Sequence, residues 1–119
     1  MYASIGALAA GGLAGTLSRH LVTLAAGGRP PWGTLAVNLT GCFLIGLFDA
    51  AARSKGFGWP HGRMLLMTGF CGAYTTFSAL ILELDSLLQT APLRGAAYVL
   101  ISVAAGLALF RAGALLGAA

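Results

Sequence analysis

The residues able to do chemistry in this chain are few, uncharged for the most part, and set inside apolar segments. The run from Gly69 to Leu80 (GFCGAYTTFSAL) holds two glycines, two adjacent threonines and a serine. All are poorer helix formers than alanine. They interrupt an apolar stretch, Met64 to Leu82, that carries no charge and has the length of a bilayer crossing. Broken backbone within a membrane is tolerated only where the freed N–H and C=O groups are buried in protein or line a polar cavity. The break therefore points to an ion or to a permeation path.

Three side chains outside the polar part of that run could serve such a path. Asn38 lies inside the second apolar segment. Its carboxamide offers two N–H donors without a charge, which suits an anion that must be held and then released. The alternative is glue between helices, since a buried carboxamide is costly unless hydrogen-bonded. Arg19 lies about a turn from the end of the first segment. An intramembrane arginine is functional or paired, unless it snorkels to the interface. Phe77 follows Thr75 and Thr76 directly. The positive edge of its ring can approach a small anion, although a phenylalanine in a membrane helix ordinarily packs. His20 reads as an interface residue. Asp49, Glu83 and Asp85 fall toward segment ends, leaving no acid in the middle of a crossing. No nucleophile–base pair, phosphate-binding glycine loop or metal-ligand cluster is apparent, so an enzyme is not expected.

The elements that must position these residues follow from hydropathy. Of 119 residues, 58% are hydrophobic and 8% charged. A soluble domain of this size needs far more charge. The chain reads as one all-α integral membrane domain over residues 1–119, with four crossings near 3–26, 32–52, 63–89 and 95–117. The third is longest, as expected if part of it is unwound. The seven Lys and Arg are scattered singly near segment ends. They read as interface anchors, and nucleic acid is not an expected partner. Cys42 and Cys71 read as small apolar residues.

Four crossings put both termini and the 2–3 connection on one side. That side carries Arg53, Lys55, Arg63 and Arg111; the other carries Arg19, Arg29 and Arg94. Orientation needs a clear excess of basic residues on one side. A difference of one allows insertion both ways up, and antiparallel pairing of two copies. The small-xxx-small pairs Gly11/Gly15 and Gly113/Gly117 allow close backbone approach, either between two copies or within one.

Three blocks carry a family resemblance: GGLAGTLSRH at 11–20, GTLAVNLTGCFLIG at 33–46 and GFCGAYTTFS at 69–78. In order, spacing and context the chain resembles the Fluc (CrcB) fluoride-channel family over nearly its whole length. The resemblance implies an antiparallel, dual-topology homodimer in the bacterial inner membrane, with two narrow pores that export cytoplasmic fluoride passively. It implies Asn38, Phe77, Ser78 and Arg19 along the fluoride path. It also implies a structural sodium ion held by the backbone carbonyls of Gly72 and Thr75 from both subunits. The chain departs from the family where TTFSTFS is common: Leu80 stands at the second ring position, with Ala79 and Ile81 at its sides. A small multidrug-type exporter fits less well, because no acid occurs between Tyr2 and Ser18. A non-transporting membrane scaffold leaves the polar break unexplained.

Overall fold

A computed structural model describes residues 1–119, and all its regular structure is helical. Helix α1 spans Tyr2–Ala25 and α2 spans Trp32–Ser54. A π-helical segment, Met64–Cys71, runs directly into the single turn α3, Gly72–Tyr74. Two extended residues separate α3 from α4, Phe77–Thr90, and α5 spans Pro92–Ala118. Trp32–Ser54, Met64–Thr90 and Pro92–Ala118 are long and apolar enough to cross a membrane. The molecule is a multi-pass membrane protein. Helix α1, with 24 residues, is also long enough to cross. Its Thr16, Ser18, Arg19 and His20 make it the least apolar of the four expected crossings.

The helix ends have local causes. Gly27 and Gly28 take left-handed φ values of 85° and 64°, where a side chain would be strained. Their N–H groups close the last turn of α1, onto Leu24 and Thr23 carbonyls. Only Ala91 separates α4 from α5. Pro92 opens α5 at the position where its fixed φ and missing N–H cost nothing. That is why α5 starts at 92 and not near 95.

Packing relies on absent side chains. A Cβ on Gly11 would collide with the Leu65 carbonyl, and one on Gly15 with the Phe70 carbonyl. On the other side, Gly46 faces the backbone of Phe110, Gly113 that of Phe43, and Gly117 that of Leu47. Both glycine pairs singled out from the sequence therefore join helices of the same chain: α1 to the π-helical segment, and α5 to α2. Only 17 of the 119 residues are buried. Large apolar side chains such as Leu13, Leu21, Leu100 and Leu107 lie on the outside, the arrangement lipid allows and water penalises.

Candidate functional site: a two-residue break clamped by Asn38

The unwound stretch is short. Gly72 is still helical, at φ −62° and ψ −36°. Thr75 (φ −84°, ψ 159°) and Thr76 (φ −150°, ψ 115°) are extended, and the helix resumes at Phe77. The broad twelve-residue interruption expected from Gly69 to Leu80 thus reduces to two residues. Upstream of them the chain keeps its bonds by widening into a π-helix, a form found mostly as short bulges and often near functional sites.

Four of the backbone groups freed by the break find side-chain partners. Asn38 takes both functions of Thr76: its Nδ2 donates to the Thr76 carbonyl at 3.0 Å, and the Thr76 N–H donates to its Oδ1 at 2.8 Å. The Thr76 hydroxyl accepts from the Ala79 N–H at 3.2 Å, acting as N-cap of α4. Arg19 Nη1 reaches the Thr75 carbonyl at 3.4 Å. Arg19 is therefore turned inward and does not snorkel. Helix α2 holds the break at two more points. Thr40 Oγ1 lies 2.8 Å from the Tyr74 hydroxyl, and Tyr74, stacked on Phe70 with centroids 5.5 Å apart, is buried. Gly41 leaves room for the Thr75 methyl, which a Cβ there would strike.

Four carbonyls, those of Gly72, Ala73, Tyr74 and Thr75, lose their helical donors across the break. In an unbroken helix the Thr76 N–H would bond the Gly72 carbonyl, and the Ala79 N–H would bond that of Thr75. Asn38 and the Thr76 hydroxyl have taken those donors. Gly72 and Thr75 thus present hard oxygen atoms, the donor type that suits sodium, and the residues fit that ion. Arg19 is the competing cation at Thr75, through a long and therefore weak contact.

Two cavities meet at the break. One, of about 300 Å³, is lined by Asn38, Met67, Gly72, Thr75, Thr76 and Phe77 among others. The other, of about 470 Å³, is more polar, with Arg19, His20, Thr34, Thr76, Ser78 and Glu83 in its wall. Thr76 borders both. Phe77 is 76% exposed on the single chain. The Ser78 hydroxyl lies 3.4 Å from that of Thr76. Leu80 lines neither cavity.

Sequence reasoning passed over one cluster. Glu83 lies in the second half of the Met64–Thr90 crossing but turns inward. Its Oε1 accepts from the Thr34 hydroxyl at 2.7 Å, and its Oε2 from the Tyr98 hydroxyl at 2.8 Å. A carboxylate on the wall of a cavity would repel an anion. Here both oxygens are engaged by hydroxyls, and Arg19 and His20 lie on the same wall. The signal was faint. Thr34 and Asn38 are one turn apart on α2, and Glu83 follows Ala79 and Thr76 at helical spacing, but Tyr98 comes from another helix.

Comparison with known proteins agrees with the three sequence blocks. The family described as CrcB-like protein, Camphor Resistance (CrcB), matches residues 6–114. The fluoride-specific ion channel FluC of Hahella chejuensis is 46% identical over 116 residues, covering 87% of this chain and 91% of that protein. The protein of the same name from Chlorobaculum tepidum is 45% identical over 111 residues, covering 90% and 88%. That from Rhizobium meliloti is 44% identical over 115 residues, covering 87% and 92%. With a match that runs from within α1 to within α5 and takes in Arg19, Asn38 and the Thr75–Thr76 break, this chain belongs to the CrcB family.

Proposed function

We propose that this protein is a fluoride-selective channel that lets cytoplasmic fluoride leave the cell passively. The observation that carries this reading is the Thr75–Thr76 break held by Asn38 between two cavities. Interrupted backbone at such a place lines a path or holds an ion. Relatives that cover most of the chain are named fluoride-specific ion channels.

The selectivity is one of desolvation. Fluoride is small and strongly hydrated, so it enters only where donors replace its water. One Nδ2 hydrogen of Asn38 is engaged by Thr76, which leaves the other for an anion. The Phe77 ring edge, the Ser78 hydroxyl and the Arg19 guanidinium continue the donor series from one cavity to the other. Chloride is larger and gains less from so few donors at fixed spacing. Each anion expelled down an interior-negative potential gains about 2.3 kcal/mol per 100 mV, so no energy coupling is required.

The working unit is an antiparallel homodimer, with α1 as the fourth crossing of each copy. Gly72 is exposed and Thr75 half-exposed on the single chain, and their released carbonyls are not compatible with lipid. A second copy covers them and the bare face of Phe77. The near balance between Arg53, Lys55, Arg63 and Arg111 on one side and Arg19, Arg29 and Arg94 on the other allows opposite orientations. In this arrangement Gly72 and Thr75 of both copies would hold a structural sodium ion. Bound there, the ion offsets repulsion between converging carbonyl dipoles.

Reconstituted liposomes loaded with potassium fluoride test the reading. With valinomycin to carry the counter-charge, a fluoride electrode should record rapid efflux, and chloride-loaded vesicles should release very little. Equal rates for the two anions would reject a selective channel, and no flux of either from a well-folded protein would reject transport.

A further inference from the structure

A third hollow lies away from the break. It is a groove of about 410 Å³ bounded by the start of α2, the end of α4 and the start of α5. Trp32, Leu35, Leu87, Ala97 and Ile101 make its walls mostly apolar, and Arg94 and Tyr98 add polar groups. None of these residues lines the two cavities at the break. Because α2 and α5 begin here and α4 ends here, the groove opens at one end of the crossings, where hydrocarbon gives way to headgroups.

Three features define what this groove can hold. First, Arg94 has no acidic partner, since both ion pairs of the chain are made by Asp49. Second, Arg94 sits in the first turn of α5, whose N-cap Ala91 offers no side-chain acceptor. Pro92 has no N–H and that of Gly95 bonds the Ala91 carbonyl; the N–H groups of Leu93 and Arg94 remain free, and with the guanidinium they favour a phosphate. Third, Trp32 is 61% exposed, and tryptophan is enriched at the headgroup level. An unpaired cation and free N–H groups above an apolar slot match one amphiphile.

We propose that this groove binds one anionic glycerophospholipid per chain, with its phosphate on Arg94 and the start of α5 and an acyl chain along Leu35, Leu87 and Ile101. The site adjoins the polar cavity through Tyr98. The Tyr98 ring lines the groove, and its hydroxyl holds Glu83.

Native mass spectrometry of the full-length protein in detergent, with phosphatidylglycerol or phosphatidylcholine added, tests this. One phosphatidylglycerol should be retained per chain, in preference to phosphatidylcholine. Arg94→Ala should weaken that retention by about tenfold, as loss of a charge-assisted contact would. Ala97→Phe should fill the groove and displace both lipids, with Leu35→Trp as a second filling variant if the first fails to fold. Inorganic phosphate should not displace the lipid, because it lacks the acyl chain. Retention unchanged in both Arg94→Ala and a folded filling variant would overturn the proposal, as would displacement by phosphate alone. A filling variant that turns the dimer into monomers while lipid retention stays normal would assign the groove to a contact between copies, and would also overturn it.

Discussion

Asn38 and Thr76 exchange two hydrogen bonds across 38 positions of sequence, Nδ2 to the carbonyl at 3.0 Å and N–H to Oδ1 at 2.8 Å. A carboxamide donates and accepts at once in this way, which an ionised carboxylate cannot. The two readings open for Asn38, anion donor and interhelical glue, are therefore compatible. Asn38→Asp keeps the acceptor but sets a carboxylate oxygen against the Thr76 carbonyl. Fluoride efflux should be abolished, and the variant should melt at a lower temperature, with a loss of about 1–3 kcal/mol for the unpaired group. Wild-type efflux in Asn38→Asp would take Asn38 off the path.

How far the sequence could be read is set by the range of each interaction. Helix positions follow from local hydropathy and from Gly27, Gly28 and Pro92. Apolar periodicity cannot see a cap, however. By composition Thr76 is a poor helix former, and nothing local marks it as the N-cap of α4, so composition overstates the extent of the break. The glycine pairs were legible as close contacts but not as to partner, because a small-residue face does not say which backbone meets it. By position Glu83 is an acid near a segment end. Its inward turn depends on hydroxyls from α2 and α5, which no local pattern places beside it.

The ring positions differ in what surrounds them. Phe77 lines the cavity that also contains Asn38 and Thr75, whereas Leu80 lines neither cavity at the break. Phe77→Ile removes the ring edge and should reduce fluoride flux at least tenfold, about 1.4 kcal/mol of lost stabilisation. Leu80→Phe should be tolerated or mildly enhancing. Initial efflux rates at matched reconstitution density, with size-exclusion chromatography as the folding check, decide between them. Normal conduction in Phe77→Ile would leave Asn38, Ser78 and backbone groups to desolvate the anion.

Glu83 depends on its two hydroxyl donors. Tyr98→Phe removes one with little change of shape and leaves a carboxylate oxygen without its donor. We expect a stability loss of about 1–3 kcal/mol, read by thermal denaturation in detergent, and slower fluoride efflux from the less compensated charge. Thr34→Val should act in the same direction. If Tyr98→Phe matches the parent in both measurements, the Glu83 clamp contributes nothing to either.

Opposite orientation of the two copies is testable without a dimer structure. In a background lacking Cys42 and Cys71, a single cysteine at Lys55 in the 2–3 connection should label with an impermeant maleimide from both faces of the cell membrane. Labelling from one face only would exclude dual insertion, whatever the charge balance.

Sodium removal tests the released carbonyls. Gly72 and Thr75 each lose their helical N–H donor to Asn38 or to the Thr76 hydroxyl, and Arg19 offers Thr75 only a 3.4 Å contact. Carbonyls left without a partner at membrane depth are destabilising, and in the proposed dimer oxygens converging from two copies would also repel. A bound cation removes both costs, so protein purified in sodium should retain the ion through dialysis into N-methylglucamine. Prolonged exhaustive removal should lower efflux and melting temperature together, and sodium should restore both while the larger caesium should not. Arg19→Gln separates the two cations at Thr75. If Arg19 competes with the ion, this variant should hold sodium more tightly and lose less activity on depletion. If instead the guanidinium is what satisfies Thr75, Arg19→Gln should be unstable in sodium and sodium-free buffer alike. Full efflux after verified sodium removal would show that Gly72 and Thr75 need no ion.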